Sequence, residues 1–240
     1  MHPSALNSFK NFQDTYFSYI KNPHIVEIGS LVKNIHNEIK SNIIRSSVNP
    51  SYKYTGIDIE DGPNVDLLLK DPYKIPLEDN SVDIVISLST FEHTEFFWLT
   101  YLEILRILKP TGLFFLNVPS NGIYHRQSTD NWRFYPDSSL ALEKWGKKNN
   151  YNPKVLEHFT TDHKGRDIWC DYVSVTIKDA KFSDNYPKRM IHEVNNFRNG
   201  RHDKSDKILN FTPIPQDLNH WGWGLYYKFR KILHKINKKY

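Results

Sequence analysis

The stretch from His24 to Asp71 constrains this chain more than any other. It holds three short apolar runs, ending in Glu27-Ile28-Gly29, in Tyr54-Thr55-Gly56-Ile57-Asp58 and in Val65-Asp66-Leu67-Leu68-Leu69-Lys70-Asp71. Each run delivers an acid or a glycine at its C-terminal end, which is how an open α/β sheet builds a nucleoside pocket. Ligands in such folds sit beyond the carboxyl ends of the strands, so function is expected at the top of a sheet.

The remaining pattern extends that sheet. Leu6, Phe9, Phe12, Tyr16 and Ile20 recur at steps of three and four, the mark of an amphipathic helix over 5–20. Strands are predicted at 24–28, 53–58, 65–69, 82–87, 113–118, 154–159 and 172–177. Helices are predicted at 34–44, 94–108 and from Pro136 to about Asn150. Strands alternating with helices of this length imply βαβ units, so the expected fold is α/β with a seven-stranded, mainly parallel sheet and helices on both faces. The expected divisions are an N-terminal helix over 1–21, a ligand-binding domain over 22–180 and a C-terminal extension over 181–240. From Lys181 onward the pattern dissolves into polar, interrupted sequence, and helical spacing returns only with Phe229, Ile232, Leu233 and Ile236.

Composition narrows the partners. With 240 residues, 39% hydrophobic and 25% charged, the chain suits one full core. Cys170 is the only cysteine and excludes a disulfide scaffold. No secretory leader or membrane-spanning run is read in the sequence, so a cytoplasmic location is expected. The net charge of +5 hints at nucleic acid until it is located: residues 225–240 carry six Lys or Arg and no acid, leaving residues 1–224 at −1. A nearly neutral body argues against a broad phosphate-binding face.

The ordered motifs resemble class I S-adenosylmethionine-dependent methyltransferases over roughly residues 22–178. Glu27-Ile28-Gly29-Ser30 is similar to the family's first motif, Gly56-Ile57-Asp58 to the second, and Asp71-Pro72-Tyr73-Lys74-Ile75-Pro76-Leu77 to the segment beside adenine. Ile86-Ser87-Leu88-Ser89-Thr90-Phe91-Glu92-His93 resembles the fourth-strand motif, and Leu105-Arg106-Ile107-Leu108-Lys109-Pro110-Thr111-Gly112 the passage into strand 5. A narrower likeness is to small methyltransferases associated with surface-glycan biosynthesis. It is carried by Glu27-Ile28-Gly29-Ser30-Leu31, by the stretch Asp58 to Asp66, and by Asp130-Asn131-Trp132-Arg133-Phe134. One departure stands out: the alternate-position glycines of the first motif are replaced by Leu31 and Lys33.

The resemblance implies a Rossmann-like fold, S-adenosyl-L-methionine as cofactor, and a set of site residues. Asp58 would bridge the ribose hydroxyls, since one carboxylate offers two acceptor oxygens, with Ile59 beside it. Asp71 would accept from the adenine amino group, with Pro72 and Tyr73 covering the ring, although Asp71 is also a good turn residue. Glu27, Gly29 and Ser30 would face the methionine end, where Lys33 either pairs with the carboxylate or is simply solvated. Ser87 and Ser89 would border the sulfonium.

His125 is the candidate base for a hydroxyl acceptor, and His93 either orients substrate or serves structurally. Tyr124, Arg126, Asp130, Trp132 and Arg133 are candidate acceptor contacts. The competing view makes Trp132 and Phe134 core plugs and pairs Arg133 with Asp130. His163, His192, His202 and His220 lack ligand spacing, so no metal is expected.

The expected activity is methyl transfer to a small-molecule or glycan-linked hydroxyl, on a sugar or sugar-phosphate substituent. Its rivals are a nucleic-acid methyltransferase, disfavoured by the absence of Asn-Pro-Pro-aromatic after strand 4, and a non-catalytic partner subunit of the same fold. The basic segment 225–240 has two readings. It either touches the inner membrane face peripherally or packs on the domain or on a second copy in a homodimer.

Overall fold

The computed structural model describes residues 3–32, 44–125, 129–162 and 169–213. The expected helix over 34–44, the side chains of Lys33, Arg126, His163 and His220, and the basic segment 225–240 therefore lie outside the described residues, apart from Ile44.

The sheet is built from β1 (His24–Ile28), β2 (Lys53–Asp58), β3 (Leu67–Leu68), β4 (Val82–Leu88), β5 (Leu108–Pro119), β6 (Lys154–Thr161), β7 (Asp171–Ile177), β8 (Phe197–His202) and β9 (Ser205–Leu209). Their order across it is β3-β2-β1-β4-β5-β7-β6-β8-β9. The strands from β3 to β5 pair in parallel, whereas β7 joins β5 antiparallel and each later pairing is antiparallel. The sheet is therefore nine-stranded and mixed, which corrects the expectation of seven mainly parallel strands.

The two extra strands come from the segment read as patternless. β8 and β9 lack apolar alternation because ions and backbone secure them. Arg198 pairs with Asp162, and Asp203, at the β8–β9 turn, takes an ion pair from buried Arg189 at 2.7 Å and another from Lys154 at 2.9 Å.

Helices cover both faces, as the alternation of buried strand residues requires. On one face α1 (Pro3–Tyr16) lays Ala5, Phe9, Phe12 and Tyr16 onto Ile25, Ile84, Ile86, Phe115, Val173 and Val175. Phe12 stacks on Phe115 with ring centroids 4.7 Å apart. Tyr16 donates to Glu157, a fully buried carboxylate that also accepts from the backbone N–H groups of Met190 at 2.9 Å and Ile191 at 2.7 Å. On the other face α3 (Phe97–Ile107) and α4 (Ser138–Lys148) bury Tyr101, Ile104, Leu105 and Leu142 against Val26, Val85, Phe114 and Leu116. A one-turn helix, α2 (Ile44–Ser47), leads into β2.

This order places the site. β1 is flanked by β2 on one side and β4 on the other, so the sequence order of strands reverses there and a crevice opens at their carboxyl ends.

Phe12 is fully buried, so Phe12→Ala is expected to lower the unfolding free energy by about 3–5 kcal/mol. Lys10→Ala, on the exposed side of the same helix, should stay within about 0.5 kcal/mol of wild type. Urea denaturation of the two variants checks the contrast, and equal midpoints would mean that α1 is not part of the core.

Candidate active site

At the top of β1, β2 and β4 lies a cleft of about 910 Å³. Its floor is organised by a buried acid. Glu27 accepts from the Tyr54 hydroxyl at 2.7 Å and from Asn64 Nδ2 at 2.9 Å, and burial pushes its pKa up to about 7 against the pull of those two donors. Asn64 Nδ2 also donates to the Ser30 carbonyl at 2.9 Å, tying the β2–β3 loop to the loop after β1.

The glycine-poor first loop is held by its neighbours. Gly29 has φ +78°, and a Cβ there would lie 2.0 Å from Thr90 Oγ1, so this position admits only glycine without strain. Ser30 N donates to the Ile57 carbonyl at 3.1 Å, Leu31 N to Asp58 Oδ2 at 2.9 Å and Val32 N to the Pro63 carbonyl at 3.2 Å. The loop thus leans on the segment 57–64, and the missing glycines are offset by backbone bonds to it.

Asp58 closes β2 and lines the cleft, its other oxygen accepting from Ile59 N at 2.8 Å and Glu60 N at 3.2 Å. Ile59, Pro72, Tyr73 and Ser89 also line it, with Glu27, Gly29 and Ser30. Ser30 Oγ is buried without a hydrogen-bond partner among the described residues. Such an atom suits an incoming polar ligand group. The residues present therefore fit the expected cofactor.

Two expected cofactor contacts do not reach the cleft. Asp71 Oδ1 accepts from Tyr73 N at 2.9 Å and closes a turn, so the carboxylate assigned to adenine serves local structure. Ser87 is fully buried inside β4, one residue before the strand's last position.

At the opposite end stand His93 and His125, rings 5.2 Å apart, with Glu92 beside them. His93 Nδ1 bonds the Thr129 carbonyl. Glu92 is 1% exposed, burial raises its pKa to about 8, and Oε2 has no hydrogen-bond partner among the described residues. His125 is held from behind: its N–H of the main chain donates to Asp130 Oδ2 at 2.8 Å, and its Nδ1 lies 3.3 Å from the same oxygen. Burial lowers the His125 pKa below its ordinary 6.5 despite the Asp130 charge, with His93 and Arg133 acting in the same direction as burial.

Of the expected acceptor contacts, Asp130 and Arg133 form a bidentate pair at 2.6 and 2.9 Å that supports His125 from outside the cleft lining. Arg133 also donates to the Ile123 carbonyl at 3.0 Å, so its guanidinium is spent on structure. Trp132 packs on Phe97 and Trp98 and donates from Nε1 to the Thr94 carbonyl at 3.1 Å. Tyr124 is 72% exposed and is not among the residues that line the cleft. These are corrections to the expected acceptor set.

Sequence reasoning assigned no role to Glu92, Asn64, Thr90 or Trp169. Glu92 sits beside His93 in the fourth-strand motif, and that adjacency was its available signal. Trp169 arrives from the connection before β7, with its ring 5.0 Å from His125, a meeting that no spacing announces.

Residues 29–116 match the family model of the methyltransferase domain. No curated protein matches the sequence significantly. Among solved structures, the chain is similar to the 4+2 cyclase SpnF at 12% identity, covering 73% of this chain and 81% of that one, with a TM-score of 0.50. It is also similar to the YcgJ protein from Bacillus subtilis, at 12% identity over 74% and 99% of the two chains with a TM-score of 0.49. A third, a SAM-dependent methyltransferase from Aquifex aeolicus, shares 16% identity over 73% and 94% with a TM-score of 0.47. The similarity to SpnF shows the Rossmann-like α/β fold. The family match over 29–116, which spans the loop after β1, β2 and β4, supports a class I methyltransferase with S-adenosylmethionine as its cofactor.

Gly29→Ala should destabilise the fold by more than about 1 kcal/mol, because its φ is unfavourable for alanine. Part of that loss is steric, so the same change in a Thr90→Ala background should cost less. Equal costs in a double-mutant cycle by thermal denaturation would show that Thr90 does not limit the loop.

Proposed function

We propose that the chain transfers a methyl group from S-adenosylmethionine to a hydroxyl of a small polar acceptor, a sugar or sugar-phosphate substituent. The observation that carries this reading is the division of one cleft into two ends. Asp58 and the loop after β1 form a nucleoside-binding end, and a neutral histidine backed by a carboxylate stands at the other. Bound S-adenosylmethionine supplies an electrophilic methyl on a sulfonium. The chain's own task is to hold an acceptor oxygen in line with it, and such positioning is worth about 7–11 kcal/mol in favourable cases.

A hydroxyl acceptor must also lose its proton, and an unprotonated His125 supplies the lone pair that assists this. Asp130 orients the ring, and Arg133 keeps Asp130 ionised, its carboxyl held below the usual range by that bidentate pair despite partial burial. The described lining residues include six acids (Glu27, Asp58, Glu60, Glu92, Glu95 and Asp171) and no Lys or Arg. Burial works against the charge of Glu27 and Glu92, but a described lining without Lys or Arg still favours a cationic sulfonium and a neutral hydroxyl over the phosphate backbone of a nucleic acid.

Calorimetric titration with S-adenosylmethionine and S-adenosylhomocysteine tests the foundation. Both should bind one to one, and Asp58→Ala should weaken them by roughly 10–100-fold, the loss expected for hydrogen bonds to a charged group. Absence of binding by either ligand would overturn the enzyme reading in favour of a non-catalytic subunit.

The pH dependence has a definite sign. His125 must be unprotonated and its pKa is lowered, so turnover of a sugar acceptor should hold through neutral pH and fall only below the ordinary imidazole value. His125→Ala should reduce kcat by roughly 10²–10⁴ while leaving S-adenosylhomocysteine affinity unchanged. A full-rate variant would remove His125 from the chemistry.

A further inference from the structure

Glu92, His93 and His125 each present one ligand atom, and these atoms all lie within 4.8 Å of one another. This grouping is the one such His or carboxylate cluster found among the described residues. Four independent features give it the character of a built site.

The first is the carboxylate. Glu92 is 1% exposed, lines the cleft, and leaves Oε2 without a partner among the described residues. A buried carboxylate oxygen without a donor is costly unless a cation meets it. The backbone N–H of Glu92 bonds its own carboxylate, and His93 Nε2 stands 3.8 Å from Oε1, too far for a hydrogen bond, so Oε2 is the oxygen left over.

The second is the tautomer of His93. Its Nδ1 faces the Thr129 carbonyl, which can only accept, so the proton resides on Nδ1 and the Nε2 lone pair is free. A backbone carbonyl on one ring nitrogen is the usual arrangement behind a metal-bound imidazole. Thr129 is itself fixed, its Oγ1 donating to the His93 carbonyl at 2.8 Å.

The third is the support of His125. Its Nδ1 lies 3.3 Å from Asp130 Oδ2, and Arg133 grips that carboxylate through both oxygens. Arg133 Nη2 also stands 3.4 Å from Nδ1, so Asp130 and Arg133 together fix the ring's orientation from behind. The fourth is the lining: among the described residues no Lys or Arg faces the cleft to repel a cation, and Asp58, Glu60, Glu95 and Asp171 also line it.

We infer that Glu92, His93 and His125 form a site for one divalent first-row transition-metal ion at the acceptor end of the cleft. Two imidazoles and one carboxylate are a ligand set typical of catalytic zinc and non-haem iron sites, with positions left for water or substrate. Ligand atoms about 2.0–2.2 Å from an ion lie roughly 3–3.5 Å apart, so the widest pair, within 4.8 Å here, closes by up to about 1.5 Å on loading. Hard, strongly hydrated magnesium is the poorer match for two imidazoles.

This inference deepens the hydroxyl-methylation reading and rests on it for its purpose. An open coordination position would take an acceptor hydroxyl, and an ion there lowers the pKa of the oxygen it binds, with the proton passing to solvent. With the ion bound, His125 would hold the ion rather than take the acceptor proton itself. The expected absence of a metal rested on the histidines outside this cluster, and the cluster forms only in three dimensions.

The test is metal binding to the full chain, purified without a histidine tag and stripped with EDTA. Cobalt titration followed by visible d–d absorption, and calorimetry with zinc, manganese and magnesium, should give one site per chain, with zinc and cobalt bound at least tenfold tighter than magnesium. Glu92→Gln and His125→Ala should each weaken zinc at least tenfold, with unchanged circular dichroism. His192→Ala, at a histidine pair elsewhere whose rings lie 5.0 Å apart, should change nothing. A wild-type chain that binds none of these ions, with or without S-adenosylhomocysteine, would overturn the site, as would affinities that Glu92→Gln and His125→Ala leave unaltered. The two readings fail separately. Methyl transfer by metal-free protein would leave the function and remove the ion, whereas metal binding without cofactor binding would leave the ion and remove the function.

Discussion

The contact on which the cleft depends is the one between buried Glu27 and Asn64. Glu27 sits inside β1 with every residue of that strand buried, so its carboxylate must find donors nearby or lose several kcal/mol to desolvation. It finds Tyr54 across the β1–β2 pair and Asn64 from the following loop. Asn64 adopts φ +74°, a conformation asparagine tolerates better than most residues, and from there one amide serves both Glu27 and the Ser30 carbonyl. A strand acid, a loop amide and the first cleft loop therefore form one unit. Asp66 reinforces it by accepting from Gly56 N at 2.7 Å while pairing with Arg45. Glycines at alternate positions would let the first loop approach a ligand by removing side chains. Here the loop instead has its backbone N–H groups claimed by the segment 57–64.

The fold was legible wherever burial left an apolar signature. β1, β2 and the central β4 occupy the expected positions to within one residue, because strands covered on both faces read as continuous apolar runs. α1 announced itself through Phe9, Phe12 and Tyr16, all of which are core residues. β8 and β9 were invisible for the complementary reason. Arg198 is buried through its ion pair with Asp162, and Gly200 packs where a Cβ would meet Ile191, so neither residue type marks a strand to a reader of hydrophobic periodicity. The antiparallel entry of β7 between β5 and β6 is a property of pairing, and no local pattern encodes it.

The site was legible in the same uneven way. Residues that terminate strands, such as Asp58 and Gly29, could be placed because strand ends define the cleft. Arg133 misled because its chemistry is apt for a ligand but is consumed locally by Asp130, and Asp71 because it closes a turn outside the residues that line the cleft. A sequence shows which groups are available and not which are already satisfied. Glu92 is the converse case, an acid that draws no notice in a motif and matters because the fold leaves it unsatisfied.

The two ends of the cleft differ in how they treat negative charge, and that difference assigns their roles. Asp58 spreads its charge over three backbone N–H groups and remains at the cleft wall, an arrangement that still leaves lone pairs for hydroxyl donors. Asp130 is neutralised in full by a guanidinium and acts only on the ring of His125. Glu92 keeps one oxygen without a hydrogen-bond partner among the described residues and stands beside two imidazoles, one with Nδ1 on the Thr129 carbonyl and the other with Nδ1 near Asp130 and Arg133. The Thr129 contact sets the inner nitrogen of His93 as a lone pair, while His125 Nδ1 faces both Asp130 and Arg133 Nη2, and the three side chains bring ligand atoms within 4.8 Å of one another. A proton or a cation can complete this arrangement. A proton shared within the triad would satisfy one acid, whereas a divalent ion would satisfy all three groups and leave open positions facing the cleft.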